Sequence, residues 1–498
     1  MTMDFLDPKA ERRHHRRLFV GYALIALIVG FVSILLLYRS YGYGVGKDGT
    51  VKQGGLVFVS SQPKGADVYL DGKLFDKTDT RLSIDSGVYD LRVSRTGYLD
   101  WQRTVSVAGG DLQRFDYPLL IPKQLKTTVV GSAISQPKVV TQSPDRRWIL
   151  VGDGSRPGVF ISYDIKSPKK PVISEFVIPS SVYALTATEH TWELVEWSND
   201  NVHVLLKHTF TEGETQQHEF VLVNRESPDK SRNITKDLSL GGEDEPTLFD
   251  KKAAKYFVYS PTAKTLRLVS ADGKESALSA GNVLAYKTYS DDTLLYVTNT
   301  FPAGHPVSDK VFIVLQRGLD RKLIRSMPVS DKGYLLDIAK YDDNWYAAIS
   351  GIADGGVYIY KNPDRVPAEQ NRPKPWRFIK IQDPSYMAFS RNTRFLLAQS
   401  GDAYAVYDAE TTDVYKYGKS ATLAAPQIHA EWLDGHRLMY VSDNRVTISD
   451  YDNGNDHSLM PADPAYTPFA SPDFRYLFTM TKVNEGIILT STSFIVEQ

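Results

Sequence analysis

Residues 143–151 read SPDRRWILV. Ser143, Pro144 and Asp145 are turn formers: proline presets one φ, and short polar side chains hydrogen-bond to their own backbone. The run from Trp148 to Val151 is apolar and suited to a strand. The same order, a polar turn and then a short apolar run, returns along the chain. It appears at Trp197-Ser198-Asn199-Asp200 before NVHVLL, at Ser290-Asp291-Asp292 before TLLYV, and at Tyr341-Asp342-Asp343 before NWYAAI. It appears again in FSRNTRFLLA (389–398), at Trp432-Leu433-Asp434-Gly435 before HRLMYV, and at Ser471-Pro472-Asp473 before FRYLFTM, with a weaker copy at Phe249-Asp250. The spacing is about 40–55 residues, the length of one four-stranded propeller blade. Further strands follow the copies, as in VFISYD (159–164), YAVYD (404–408) and VTISDYD (446–452). About eight copies predict seven or eight blades. The last copy has too little chain after it for a whole blade, and residues 125–142 before the first copy are strand-like. Pairing the start of the repeat region with its end in one blade would remove an open edge.

The totals agree with a folded chain. Of 498 residues, 42% are hydrophobic and 23% charged, so disorder is excluded. Lys and Arg (58) balance Asp and Glu (59), which leaves no net field to recruit nucleic acid. The absence of cysteine removes disulfides, thiolate metal sites and cysteine nucleophiles together.

Outward from the repeats toward the N-terminus, residues 18–38 read LFVGYALIALIVGFVSILLLY, without a charge. Roughly 20 apolar residues in a helix cross a bilayer core. Lys9, Arg12, Arg13, Arg16 and Arg17 precede the run, and only Arg39 and Lys47 follow closely, so the positive-inside bias puts the N-terminus in the cytoplasm and the rest of the chain outside. The run is longer than the core of a cleaved signal peptide and is followed by Arg39-Ser40-Tyr41 rather than a small-x-small site, which favours a retained anchor. Residues 39–54, rich in glycine and polar residues, read as a flexible spacer. Gly46-Lys47 lacks the glycine spacing and the serine or threonine of a phosphate loop.

From Gly55 the pattern becomes short alternating strands. LVFVS (56–60) and ADVYL (66–70) flank Gln62-Pro63-Lys64-Gly65, and Asp71-Gly72 marks a tight hairpin. In GVYDLRVS (87–94), Tyr89, Leu91 and Val93 share one face; Gly97-Tyr98 then turns the chain into WQRTVSV (101–107). The residues Pro63-Lys64-Gly65-Ala66, Val68-Tyr69-Leu70-Asp71-Gly72-Lys73, Gly87-Val88-Tyr89 and Gly97-Tyr98 resemble, in order, the pattern of the PEGA domain. Two positions depart from it: Lys64 replaces the name-giving Glu, and Thr78-Asp79 stands where Thr-Pro is usual. The resemblance implies a β-sandwich-like module associated with a bacterial cell envelope, with no catalytic residues to transfer. The later repeats resemble the Trp/Phe-Ser-Pro-Asp-Gly repeats of TolB-like and related β-propellers.

The predicted architecture is therefore an all-β ectodomain, a small β-sandwich-like PEGA module plus a seven- or eight-bladed β-propeller, behind one N-terminal transmembrane α-helix. Its parts are a basic cytoplasmic segment (1–17), the helix (18–38), the spacer (39–54), the PEGA module (55–122) and the propeller (123–498).

Motifs for chemistry are missing. No Gly-x-Ser-x-Gly elbow, sialidase box or HExxH spacing occurs. His190, His305, His429 and His436 are scattered histidines that only a fold brings together. Asp450, Asp452, Asn453, Asn455 and Asp456 resemble a calcium loop, but Gly454 is one place early and no closing Glu follows, so a polar hairpin turn is expected. No cofactor is expected. Recognition is expected on loops: the proline-rich, basic stretch 362–376 with Arg365, Arg372 and Trp376, and the 301–306 loop with His305. The expected function is a membrane-anchored envelope protein that binds a glycan or a protein partner. A metal-assisted hydrolase or lyase in the propeller channel is the alternative.

Overall fold

The computed structural model describes residues 8–40, 43–45, 51–289, 293–301, 308–365, 373–419, 429–484 and 486–495. It divides into two compact units, with the break between Gln124 and Leu125.

In the first unit one helix runs Pro8–Ser40. It is longer than the apolar run because no breaker separates the basic segment from it. An 18-residue window within Arg16–Ser40 has a mean hydropathy of 2.7, and none of its residues is buried in the protein. The spacer reading of 39–54 is corrected at its described parts. Tyr43–Val45 pairs antiparallel with the start of Val51–Val59, Tyr43 opposite Gln53. Tyrosine and valine favour extended backbone, and the glycines between them do not prevent pairing.

Val51–Val59 is also flanked by Thr80–Asp85 (antiparallel) and Leu112–Phe115 (parallel). The second sheet has the order Lys73–Lys77, Asp67–Leu70, Gly87–Ser94, Trp101–Val107. Val57, Val59, Val68, Leu82, Leu91, Val93 and Trp101 from the two sheets form one core, each almost fully buried. At the Asp71-Gly72 hairpin Leu70 pairs with Lys73, and both turn residues have positive φ (49° and 75°), as a two-residue turn of this kind demands. The two departures from the PEGA pattern meet in space: Lys64 Nζ lies 2.9 Å from Asp79 Oδ2.

The second unit holds, among the described residues, eight four-stranded antiparallel sheets: blade 1 (139–177), blade 2 (188–233), blade 3 (245–281), blade 4 (283–328), blade 5 (334–380), blade 6 (386–418), blade 7 (431–461) and blade 8. Seven are built from consecutive chain. Blade 8 takes Phe469–Ala470, Tyr476–Val483 and Gly486–Ser493 from the end and Lys126–Ile134 from the start, paired from Ile487↔Ile134 to Ser493↔Lys126. The start-to-end closure expected from the repeat count is present, and the count is eight. Neighbouring sheets share their cores in order, and Ile149, Val151 and Tyr163 of blade 1 pack with Phe478, Met480 and Leu489 of blade 8, so the series closes into a ring. The first strands of successive blades approach one another, which makes them the inner lining of the ring.

The repeated polar turns join first to second strands. Ser143 Oγ donates to Asp145 Oδ1 (2.5 Å) and accepts from Trp148 N (2.9 Å), while Asp145 Oδ1 accepts from Arg147 N (3.0 Å). Ser390 with Asn392, and Ser471 with Asp473, repeat this arrangement. The fourth residue of each turn is left-handed: Arg146 (φ 62°), Asn201 (φ 60°), Thr393 (φ 59°) and Phe474 (φ 57°). In blades 1 and 6, an arginine two residues after the turn's acidic or amide side chain reaches the aspartate ending the third strand. Arg147 pairs with Asp164 through two hydrogen bonds (2.9 and 2.5 Å), and Arg394 with Asp408 (3.0 and 2.7 Å). The repeat is thus a turn plus a clamp on its own sheet. The Ser290-Asp291-Asp292 copy lies outside the described residues.

Candidate functional site

Strand polarity puts the first-to-second and third-to-fourth connections at one end of the ring. The 362–376 connection belongs to that end, because it joins the third and fourth strands of blade 5, Gly356–Lys361 and Arg377–Lys380. Arg365 closes the short helical turn Pro363–Arg365 and donates to Asp343 O (3.3 Å), a carbonyl of the same blade's first turn. Trp376 is 46% exposed. Its indole N–H donates to Tyr407 OH of blade 6 (2.8 Å), and the Lys361 ammonium stands 5.0 Å from its ring centre. Burial pushes the Tyr407 phenol up to about 12, so it stays a neutral acceptor at any physiological pH. Asp364 holds Arg317 (2.6 Å), whose guanidinium lies over Trp345 at 4.2 Å. An exposed indole with cations beside it suits stacking against a sugar ring or a peptide side chain.

Arg365 and Trp376 flank the loop but take separate partners. Arg372 and His305 lie outside the described residues. Thr293–Thr298 and Lys310–Arg317, on either side of 302–307 in the sequence, are the second and third strands of blade 4.

Of the scattered histidines, the three among the described residues take separate partners. His190 is in blade 2, His429 stacks on Tyr386 and lies 3.0 Å from Glu431, and His436 packs edge-on to Phe395. His190 instead meets His208, a residue the motif search missed: His190 Nδ1 and His208 Nε2 are 3.0 Å apart, and His208 Nδ1 lies 2.9 Å from Glu219. His190 Nε2 is 2.9 Å from Ala187 O at the far end. A carbonyl and a carboxylate only accept, so the outer nitrogens of the two rings face acceptors at both ends of the chain. The signal was local: the tight turn at Gly213-Glu214 sets His208 directly opposite Glu219.

Burial acts on Glu219 most strongly and would raise its pKa, but hydrogen bonds from His208, Ala184 N (2.7 Å) and Asn233 (2.7 Å) together hold it below the ordinary 4.5. Burial, and then the His208 charge, press His190 below its ordinary 6.5. Both shifts have the same sign for stability: the unfolded chain takes up protons first as pH falls, so stability drops below about pH 6.5 for His190 and further below about 4.5 for Glu219. Glu219→Gln is expected to lower stability at pH 7 by about 1–3 kcal/mol and to flatten the loss below about pH 4.5, read as melting temperature against pH. An unchanged acid slope would contradict this.

A second cluster lies between blades 6 and 7. The nearly buried Lys419 ammonium donates to Ser449 Oγ (3.0 Å), lies 3.3 Å from Asp456 and stands 4.8 Å from the Tyr440 ring centre. Burial lowers its pKa against the pull of Asp456. The Asp450–Asp456 segment is a hairpin turn closed on itself: Asn453 N donates to Asp450 O (2.9 Å), and Asn455 Nδ2 to Asp450 Oδ2 (2.8 Å). Among the described residues no group of three or more His, Asp or Glu is arranged to hold a metal ion.

The first unit has the two small sheets and the Asp71-Gly72 hairpin that the sequence pattern implies. Residues 55–121 are a PEGA domain. No curated protein matches the chain. Solved structures similar to it include dihydro-heme d1 dehydrogenase NirN in complex with DHE, at 14% identity over 81% of this chain and 74% of that one, with a TM-score of 0.41. Kluyveromyces lactis Hsv2 is similar at 9% identity over 73% of this chain and 100% of that one (TM-score 0.36). The β-propeller domain of Myceliophteria thermophila Cps50 (Swd1) is similar at 11% identity over 66% and 98% (TM-score 0.36). Likenesses this distant say nothing of function. Behind the PEGA domain, the closed ring of eight sheets is itself what makes the second unit a propeller.

Proposed function

We propose that this is a single-pass membrane protein that displays its PEGA domain and propeller outside the cytoplasm and uses the propeller to bind an envelope glycan or protein. The observation that carries the reading is the helix: Arg16–Ser40 is long enough to span, and an 18-residue window in it has a mean hydropathy of 2.7 with no residue buried in the protein. Basic residues concentrated before it orient the remainder outward. The exposed Trp376, with Lys361 and Arg365 nearby in sequence, supports a recognition surface at the 362–376 loop, to which Arg372 would contribute, with His305 as a further contributor.

The catalytic alternative finds less support. The His190–His208–Glu219 chain ends on Ala187 O at one side and on Ala184 N and Asn233 at the other, so no ring nitrogen is left to exchange a proton with a substrate.

The chain has no cysteine, so one introduced thiol is a clean reporter. In right-side-out vesicles a membrane-impermeant maleimide is expected to label Lys274→Cys in the propeller, and Ala10→Cys only after lysis. The reverse pattern would overturn the topology. Affinity capture of separated glycan and protein fractions by the detergent-solubilised chain then tests binding. Trp376→Ala is expected to weaken saturable retention by about 30-fold, the loss of a ~2 kcal/mol hot spot. Retention unchanged by Trp376→Ala would remove the loop from the reading.

A further inference from the structure

Arg377–Lys380 is the fourth and outermost strand of blade 5. It pairs on one side with Gly356–Lys361 and, among the described residues, with nothing on the other. Ile381 N donates to Gly355 O (3.1 Å), and the register continues with Ile379 opposite Val357. Antiparallel pairing alternates, so Ile379 turns its N–H and C=O inward, while Phe378 and Lys380 turn theirs to the free edge. An edge with unpaired backbone groups is a template for another extended chain.

The side chains on this edge are aromatic and basic. Trp376, which leads into the strand, and Phe378 within it are 46% and 47% exposed. Phe378 lies across Gly356, where a Cβ would come 2.4 Å from its Cζ, and its ring centre stands 4.7 Å from that of Tyr358. Arg377 and Lys380 are both exposed, and among the described residues neither is in an ion pair. The neutral Thr412 hydroxyl accepts from Arg377 (2.9 Å). The acids of the neighbouring turns are already engaged, Asp364 by Arg317 (2.6 Å) and Glu410 by Arg394. Other fourth strands differ. In blade 1, Glu175 is held by Arg156 (2.7 Å), and in blade 4, Arg321 donates to Ser279 O of blade 3 (3.0 Å). Basic residues on an edge discourage pairing with a basic or neutral strand, but not with an acidic one.

We propose that the free edge of Arg377–Lys380 takes up an extended, acidic peptide segment of a partner protein as a fifth strand of blade 5. Main-chain hydrogen bonds to Phe378 and Lys380 align the segment, and its side chains alternate between the two faces of the blade. Its carboxylates reach Lys380 or Arg377, and its apolar side chains cover Phe378 or Trp376. The inference rests on the reading of the propeller as a binding surface. Within that reading it selects a protein over a glycan, because a sugar chain cannot continue a β ladder.

The test is fluorescence anisotropy with the full chain in detergent, in about 0.15 M sodium chloride. One labelled probe is a peptide of roughly nine alternating valines and glutamates, the length of a long strand. The others are the same peptide N-methylated at every amide, a valine–lysine peptide, and an oligogalacturonate of matching charge. Saturable binding of the unmethylated acidic peptide alone is expected. Lys380→Glu is expected to weaken it by at least about tenfold. Phe378→Pro removes an outward N–H and no bond of the existing sheet, so it is expected to abolish binding while the melting transition stays cooperative. Phe378→Val keeps the edge and is expected to retain affinity within about threefold. Equal binding of the N-methylated peptide, or equal losses in the two Phe378 variants, would show attraction of charge without strand addition and overturn the proposal. Binding of the oligogalacturonate alone overturns it too, while leaving the glycan half of the proposed function standing. A cooperatively melting chain that binds none of the probes also overturns it.

Discussion

Deleting residues 486–498 is expected to abolish the cooperative unfolding of the propeller. The strand Gly486–Ser493 is the third of blade 8 and the only neighbour of Lys126–Ile134 in that sheet. Without it the chain's first propeller strand has no partner, Tyr476–Val483 becomes an open edge, and the core shared by blades 8 and 1 is exposed. Leu489 isolates the packing part of the effect. It is fully buried against that core, so Leu489→Ala is expected to cost about 3 kcal/mol, within the ~2–5 kcal/mol usual for such truncations. Thermal or urea unfolding of the solubilised chain measures both. A deletion variant that melts as sharply as the parent, or a Leu489→Ala change below about 0.5 kcal/mol, would show that the ring does not depend on this closure.

Asp408→Ala is the second large effect. Asp408 is fully buried and accepts two hydrogen bonds from Arg394, together with the backbone N–H of Glu410 (2.8 Å). Removing the carboxylate leaves a largely buried guanidinium without its counter-charge, although Glu410 remains beside it. The expected loss is about 3–5 kcal/mol, because the penalty is mainly the stranded charge. The paired change Arg394→Met with Asp408→Leu removes both charges and is expected to recover much of that loss. The matching clamp in blade 1 is more open, with Arg147 39% and Asp164 15% exposed, so Asp164→Ala is expected to cost less. Equal losses at the two clamps would mean that burial does not set the size of the effect.

The turn and clamp explain why so much of the fold was legible. In SPDRR (143–147) each hydrogen bond of the turn spans at most five residues, and the Arg147–Asp164 pair lies within one blade, so the pattern survives as a repeat in the sequence. The Asp71-Gly72 hairpin and the period-two burial of Leu91 and Val93 are local in the same sense. The spacer at 39–54 was misread because its strand pairing depends on Val51–Val59 starting earlier than its apolar part suggests.

The candidate sites were far less legible. Trp376 meets Tyr407 across two blades, and Lys419 reaches Ser449 and Asp456 in the next blade. Only the His208–Glu219 pair was within reach of a register count.

By itself, then, the sequence determined the apolar N-terminal helix, the PEGA module and a series of β blades, because each rests on local periodicity, turn chemistry or an uninterrupted apolar length. The tertiary structure alone decided that the blades number eight, that Lys126–Ile134 closes the last of them, and which charged and aromatic groups face one another between blades. Those outcomes depend on contacts between residues up to some 365 positions apart, such as Thr127 with Thr492. Such contacts follow from the geometry of ring closure, which no stretch of chain carries on its own.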